Sequence, residues 1–360
     1  MSDKKGLFTR IKEKMEQNDE KQAINGRLKH AEFFFKHATE VLNRGSNATK
    51  TDLNDALHCA LRCCEIFGSS TKYEKENYYP LFKSQRLLAK VYTRMEDYEN
   101  ADKAITNAMD TLLYVAENNL AKGHEYVDIF GIWYEKALVN EYLGNEQEAV
   151  GCFAGFISRE GNILSDYPEE MMQKLAENIT NSISMLYDYQ CVNIDALYKT
   201  AYDAILCDGL DYASLASDVA NFYACSCIKQ DNKKCQDAIN MLIDNYHKIK
   251  SLGNKIPNNK VYYDMTMTSF NLFTLARMTN NTKLANSAAQ ATIKYLPSAV
   301  EKYKKYPGTY IDVSKGYKCI IDEIKRNYVP TLPTQNQKAV LDVLNSCDKN
   351  VVTDDYEFEI

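Results

Sequence analysis

The sequence predicts an all-α protein built from antiparallel helix pairs stacked in a row. Three observations predict it. Helix breakers are scarce, with 14 glycines and 7 prolines in 360 residues, which suits helices joined by short connections. Apolar residues recur at three- and four-residue spacing along most of the chain, as in amphipathic helices. A small residue also returns at one point of each expected second helix: Ala56, Ala101, Ala149, Ala196, Ala238 and Ala285, at intervals of 45, 48, 47, 42 and 47. A period of that size belongs to repeat architectures.

The elements follow in order. Residues 1–20 form a charged leader in which Leu7, Phe8, Ile11 and Met15 share one helical face among Lys4, Lys5, Arg10, Lys12 and Lys14. Three readings stay open for it: a flexible tail, a helix covering the end of the row, or a basic amphipathic helix touching an anionic membrane through residues 4–15. Glu13, Glu16, Asp19 and Glu20 dilute its positive charge. The body, residues 21–348, divides into helix pairs at about 24–44 with 52–67, 77–96 with 98–118, and 124–143 with 146–158. It continues as 168–190 with 193–208, 211–229 with 234–250, and 259–279 with 282–296. Thr51 or Asp52 is placed to cap the second helix, Gly68 to end it, and Pro80 to sit in a first turn. Gly144-Asn145, Gly161-Asn162, Gly253-Asn254 with Pro257, and Pro297 mark the connections. A last pair, about 310–326 and 335–348, is set off by Pro330 and Pro333 and serves as an end cap. Residues 349–360 close the sequence as an acidic tail, read as a disordered end or as a segment that docks on a basic surface.

Two stretches carry a family pattern. QRLLAKVYTRMEDYENADKAITNAMDTLLY (residues 85–114) places Leu88, Ala89 and Tyr92 before Ala101, Ile105 and Ala108. WYEKALVNEYLGNEQEAVGCF (residues 133–153) puts Trp133, Ala137, Gly144, Ala149 and Phe153 on the same template. Both resemble the tetratricopeptide (TPR) repeat, specifically across residues 81–157 and more faintly elsewhere. The resemblance implies a right-handed α-solenoid of about six TPR-like pairs plus the capping pair. It departs from the family in its longer period, since the usual TPR repeat has about 34 residues. The packing logic is local: a small residue lets the second helix approach the first, and larger neighbours fill the space between pairs. Trp133, the one tryptophan, is expected to be such a packing anchor.

Composition bounds the function. Lys plus Arg is 43 against 49 for Asp plus Glu, a net charge of −6, which disfavours a dedicated nucleic-acid binder. The first residues hold no signal-peptide run and no stretch has the apolar length to cross a bilayer, so a cytoplasmic protein is expected. The 11 cysteines, odd in number and irregular in spacing, then read as reduced, buried small hydrophobes. Cys59, Cys63 and Cys64 share one predicted helix beside His58, but a closed zinc site needs further ligands. Cys225 and Cys227 have the wrong separation for a redox pair. No phosphate-binding glycine loop, HExxH pair or nucleophile turn occurs. No catalytic residue, cofactor or metal is therefore expected.

Binding remains, and its location comes from the resemblance. In TPR hairpins the groove positions lie on the first helix, which here implies Lys83, Arg86, Lys90 and Arg94; their spacings of three, four and four put them on one helical face. The equivalent face of the next pair carries Tyr134 and Tyr142, with Glu141 alongside. A basic row beside tyrosines fits an acidic peptide or protein segment through charge and stacking. The chaperone-binding clamp of some TPR proteins is not carried over, because its asparagine positions are unfilled. The expected function is a non-enzymatic adaptor or scaffold that binds a peptide or protein. The alternatives are a peptide-responsive regulator and, more remotely, an enzyme on an α/α framework.

Overall fold

A computed structural model describes residue 23 and residues 26–120, 126–161, 169–191, 194–205, 210–231, 235–252, 258–302 and 313–351. The leader of residues 1–20 and most of the acidic tail lie outside the described residues. Every described element is helical. The helices are α1 (26–43), α2 (Lys50–Ser70), α3 (Tyr78–Arg94), α4 (Tyr98–Glu117), α5 (Tyr126–Tyr142), α6 (Glu146–Glu160) and α7 (Glu169–Asp188). They continue as α8 (Asp195–Ile205), α9 (Leu210–Lys229), α10 (Gln236–Leu252), α11 (Asn258–Met278), α12 (Thr282–Lys302), α13 (Val313–Asn327) and α14 (Thr334–Asn350). Each expected helix is present. None is long and apolar enough to cross a membrane among the described residues. The internal contacts fall into two compact units, one ending at Cys152 and one starting at Phe153.

One turn recurs where α1, α3, α5, α7, α9 and α11 give way to the next helix. A residue with positive φ stands at Gly45, Glu96, Gly144, Gln190, Asp231 and Asn280. Five of these donate their N–H to the carbonyl three residues back: Glu96 to Thr93, Gly144 to Glu141, Gln190 to Tyr187, Asp231 to Ile228 and Asn280 to Arg277. The next N–H reaches back five residues, Asp97 to Tyr92, Asn145 to Asn140, Cys191 to Leu186 and Asn281 to Ala276. This is the Schellman closure, which satisfies the orphan carbonyls of a helix end while turning the chain back. Four of the six residues are not glycine, and each L side chain held there costs about 1 kcal/mol.

In the unit up to Cys152, Ala38 and Val41 of α1 meet Ala56 and Ala60 of α2 and Leu87 and Val91 of α3. The other flank of α3, with Tyr79, Phe82 and Ala89, packs on Ala104, Ile105, Ala108 and Leu112 of α4 and on Ile132 of α5. Trp133 packs half-buried against this second cluster, as a packing anchor should. Lys136, buried on α5, ties three helices together. Its ammonium pairs with Asp102 and donates to the Thr106 hydroxyl at 2.9 Å on α4, and lies 3.9 Å from Glu148 on α6. Burying a lysine is tolerable only with such partners.

In the unit from Phe153 on, α9 packs on both α7 and α11, while α8, α10 and α12 back the same three helices. Tyr198 of α8 stacks on Tyr223 of α9, with centroids 4.9 Å apart. Ala213, Ile249, Val261 and Met265 join α9, α10 and α11.

Three local expectations need correction. The cap of α2 is Thr49, whose hydroxyl accepts from the Asp52 N–H while Asp52 accepts from the Thr49 N–H, a reciprocal capping box; the helix then runs through Gly68 to Ser70. Pro297 does not end α12, which continues to Lys302. The lost hydrogen bond is offset by burial on both sides of the proline, at Leu296, Ala299 and Val300. Ala196, the expected small packing residue of α8, is exposed. The buried small residues on that helix are Ala201 and Ala204, beside Tyr198, Tyr202 and Ile205. The other five alanines are buried.

This contrast is testable. Ala60→Leu, at a fully buried contact, is expected to cost about 1–3 kcal/mol in chemical unfolding. Ala196→Leu is expected to stay within about 0.5 kcal/mol; equal losses would contradict the close-packing account.

Candidate functional site

The basic row lies on α3 in a stripe between its two buried flanks. Arg86 is the most enclosed member, with 14% of its side chain exposed. It forms a two-pronged pair with Glu135 of α5, Nε to Oε2 at 2.7 Å and Nη2 to Oε1 at 2.8 Å. The guanidinium lies over Gly131, where a Cβ would stand 2.7 Å from Nη2, so the glycine keeps the space open. Lys90 also points to Glu135, at 3.1 Å from Oε1, but its side chain is 48% exposed. Burial alone would raise the Glu135 carboxyl; the charges and hydrogen bonds of Arg86 and Lys90 outweigh it and hold the group below the usual carboxylate range.

The two ends of the row are differently placed. The Lys83 ammonium sits 4.9 Å from the centre of its neighbour Tyr79's ring, a weak cation–π contact. Arg94 is exposed at the end of α3 and has no ion pair among the described residues. Tyr134 is half-buried, and Tyr142 is exposed and stacked on Tyr98, with centroids 4.7 Å apart and planes within 13°. The structure thus joins Arg86 and Lys90 through a carboxylate that the sequence reading had not assigned to the site. Glu135 is visible in the sequence only as one acid among many; what distinguishes it is its approach from α5 to Arg86 and Lys90 of α3.

A second polar cluster, missed from the sequence, runs between α9 and α11. The Ser214 hydroxyl donates to Asp264 Oδ2 at 2.8 Å, and Lys260 pairs with Asp218 at 3.2 Å. Ser217 and Thr268 share a hydrogen bond at 3.2 Å, and the Asn271 amide donates to Asn221 Oδ1 at 2.8 Å. Partners are separated by 50 or 51 residues in three of these contacts, against 49 for Arg86 and Glu135 and 50 for Arg277 and Asn327. The signal was present as polar residues at helical spacing (Ser214, Ser217, Asn221 on one helix and Lys260, Asp264, Thr268, Asn271 on the other) inside otherwise apolar stretches. It was hidden because both helices are buried nearly all round, which erases the polar face that marks an amphipathic helix.

Asp264 is fully buried and its Oδ1 has no hydrogen-bond partner among the described residues. Burial raises its carboxyl to about 8; Lys260 opposes the rise, Asp218 adds to it, and the Ser214 hydrogen bond opposes it. Burial likewise raises Asp218, with Lys260 working against it.

The described cysteines are free thiols. Burial pushes Cys63 and Cys64 up to about 12, which keeps them from acting as nucleophiles, and the Cys63 thiol donates to the Ala31 carbonyl at 3.2 Å. Cys225 lies 3.9 Å from Asn271 Oδ1 while Cys227 is buried elsewhere. Among the described residues no group of three His, Cys, Asp or Glu side chains is placed to hold a metal.

No family model matches the sequence, and no curated protein matches it. Among solved structures the chain is similar to the crystal structure of BtubC (BKLC) from P. vanneervenii, with a TM-score of 0.40 and 15% identity over 72% of this chain and 96% of that one. A likeness of that strength bears on neither fold nor function.

The Asp264 carboxyl makes a pH prediction. The unfolded chain releases this proton near pH 4, whereas the folded chain keeps it to about pH 8. Folding therefore takes up a proton between those values, and stability falls as pH rises through that window. Asp264→Asn is expected to flatten the fall in Tm between about pH 5 and 8.5, an effect on the order of a few kcal/mol. An unchanged slope in the variant would mean that the carboxyl titrates normally.

Proposed function

We propose that the chain is a non-enzymatic binding protein, a TPR-like right-handed α-solenoid whose first helices present a face for an acidic segment of another protein. Support for the architecture comes from the repeated Schellman turn and from contacts between first helices at separations of 42 to 51 residues. Translation of one helix pair onto the next generates such contacts.

The observation that carries the function is the charge balance on α3. Lys83, Arg86, Lys90 and Arg94 share one stripe, in which Glu135 pairs with Arg86 and Lys90. A surplus of positive charge therefore remains on a helix face in a protein whose net charge is −6. Such a local reversal of sign steers an oppositely charged partner and fixes its register. An adaptor role follows if the bound segment belongs to an assembly that the chain serves.

Reversing both ends of the row tests this. Lys83→Glu with Arg94→Glu is expected to weaken capture on a bead-bound acidic peptide by about tenfold or more, roughly 1.4 kcal/mol, with the circular dichroism spectrum unchanged. Undiminished capture by a folded variant would remove the site.

A further inference from the structure

We propose that the stacked pair Tyr98 and Tyr142 is a second docking surface, one that takes an arginine-bearing segment of another protein. It lies at the turn edge of the unit up to Cys152 and does not depend on the acidic-segment reading of α3. Its basis is an exposed aromatic platform set among carboxylates that lack a cation of their own.

Two turns bring the rings together. Tyr98 opens α4 just after the turn at Glu96, and Tyr142 ends α5 just before the turn at Gly144. The rings stack with centroids 4.7 Å apart and planes within 13°. Stacking covers one face of Tyr142, yet the residue is 58% exposed, so its other face is open to solvent. The orientation of that ring is already fixed, and a partner settling on it need not first order it.

The surrounding charge defines the partner. Residues 94–103 and 141–148 carry seven carboxylates against two cations, Arg94 and Lys103. Lys136 pairs with Asp102 and lies 3.9 Å from Glu148, while Asp97 caps α4. Glu96, Glu99 and Glu146 are exposed and have no ion pair among the described residues. Partial burial raises the Tyr98 hydroxyl and the Glu96 charge adds to the rise, which sets that carboxylate near the platform. The tyrosine that the TPR resemblance placed beside a basic row is thus flanked by acids.

Glu96 is held at a cost, with a φ of 61°. Glycine occupies that region freely, and Asn and Asp tolerate it by bonding their own backbone. Glu96, like Gln190, has neither advantage, and the next pair meets the same need with Gly144. A strained position that presents an unpaired carboxylate points to use by a partner. A guanidinium fits: its plane lies on the open face of Tyr142 while its N–H groups donate to a carboxylate at the rim. Lysine supplies the charge without the planar stack, and an acidic segment is repelled.

Fluorescence anisotropy with the full chain at low salt tests the inference. The probes are labelled peptides of alternating serine with arginine, with lysine, or with glutamate. The arginine peptide is expected to bind more tightly than the lysine peptide. Tyr142→Leu is expected to remove that preference and to weaken the arginine peptide by about two- to fivefold, the size of an exposed cation–π contact. Tyr142→Phe is expected to retain both. Glu96→Gly is expected to raise Tm by a few degrees as strain is relieved, yet to weaken the arginine peptide by up to about fivefold, the range of an exposed ion pair. Unchanged affinity in a folded Tyr142→Leu variant, or equal losses in the Leu and Phe variants, would overturn the platform. Full affinity in Glu96→Gly would count against it as well, and failure of the arginine peptide to bind the native chain would defeat it outright. Lys83→Glu with Arg94→Glu is expected to leave the arginine peptide bound at least as tightly, so the two surfaces stand or fall separately.

Discussion

The helix-terminating turn is the constraint on which the rest depends. A helix that stops leaves unpaired carbonyls, and reversing direction at once requires one residue in the left-handed region. This chain meets that requirement at Gly45, Glu96, Gly144, Gln190, Asp231 and Asn280. Because the turn fixes the angle at which the second helix returns, it determines which side chains of a pair must be small. Ala56, Ala101, Ala149, Ala238 and Ala285 lie in those close approaches and are buried. A larger residue at any of them would separate helices that the turn holds together.

Close pairing in turn sets first helices beside first helices. Their contacts are polar and specific: Arg86 with Glu135, Ser214 with Asp264, Asn221 with Asn271, Arg277 with Asn327. Apolar packing is tolerant of sliding, whereas hydrogen bonds between named partners are not, so these contacts fix the register of one pair on the next. The same contacts create two contrasting electrostatic environments. Beside α3 the Glu135 carboxylate of α5 is paired with cations and held below the usual carboxylate range. Between α9 and α11 a carboxyl is enclosed with too few partners and keeps its proton to about pH 8. Opposite outcomes for two acids follow from one kind of interface, decided by how many positive charges face each.

Much of this was legible in the sequence, and the failures have physical causes. All the helix pairs could be read, because three- and four-residue apolar spacing persists along them and their connections are short. The repeat was clearest at residues 81–157, where Gly144 marks the turn openly. It faded where Gln190, Asp231 and Asn280 occupy the left-handed position, since a residue that can also sit in a helix announces nothing. Ala196 misled because α8 begins near it, so its spacing fits while its side chain faces water. Pro297 misled in the opposite sense, as burial around it outweighs the missing donor. The row on α3 was located by the TPR resemblance, but the pairing of Arg86 with Glu135 depends on a residue 49 positions away. Single-helix periodicity carries no information about such a partner.

The range of the cross-helix contacts, 42 to 51 residues, has a consequence for how the chain reaches its fold. Joining residues about 50 apart closes a loop of one helix pair, and the entropy of closure grows only slowly with loop length. The described first-helix contacts do not require remote ends of the polypeptide to meet before anything is gained. Within each compact unit a helix pair can therefore gain its neighbours before distant segments meet.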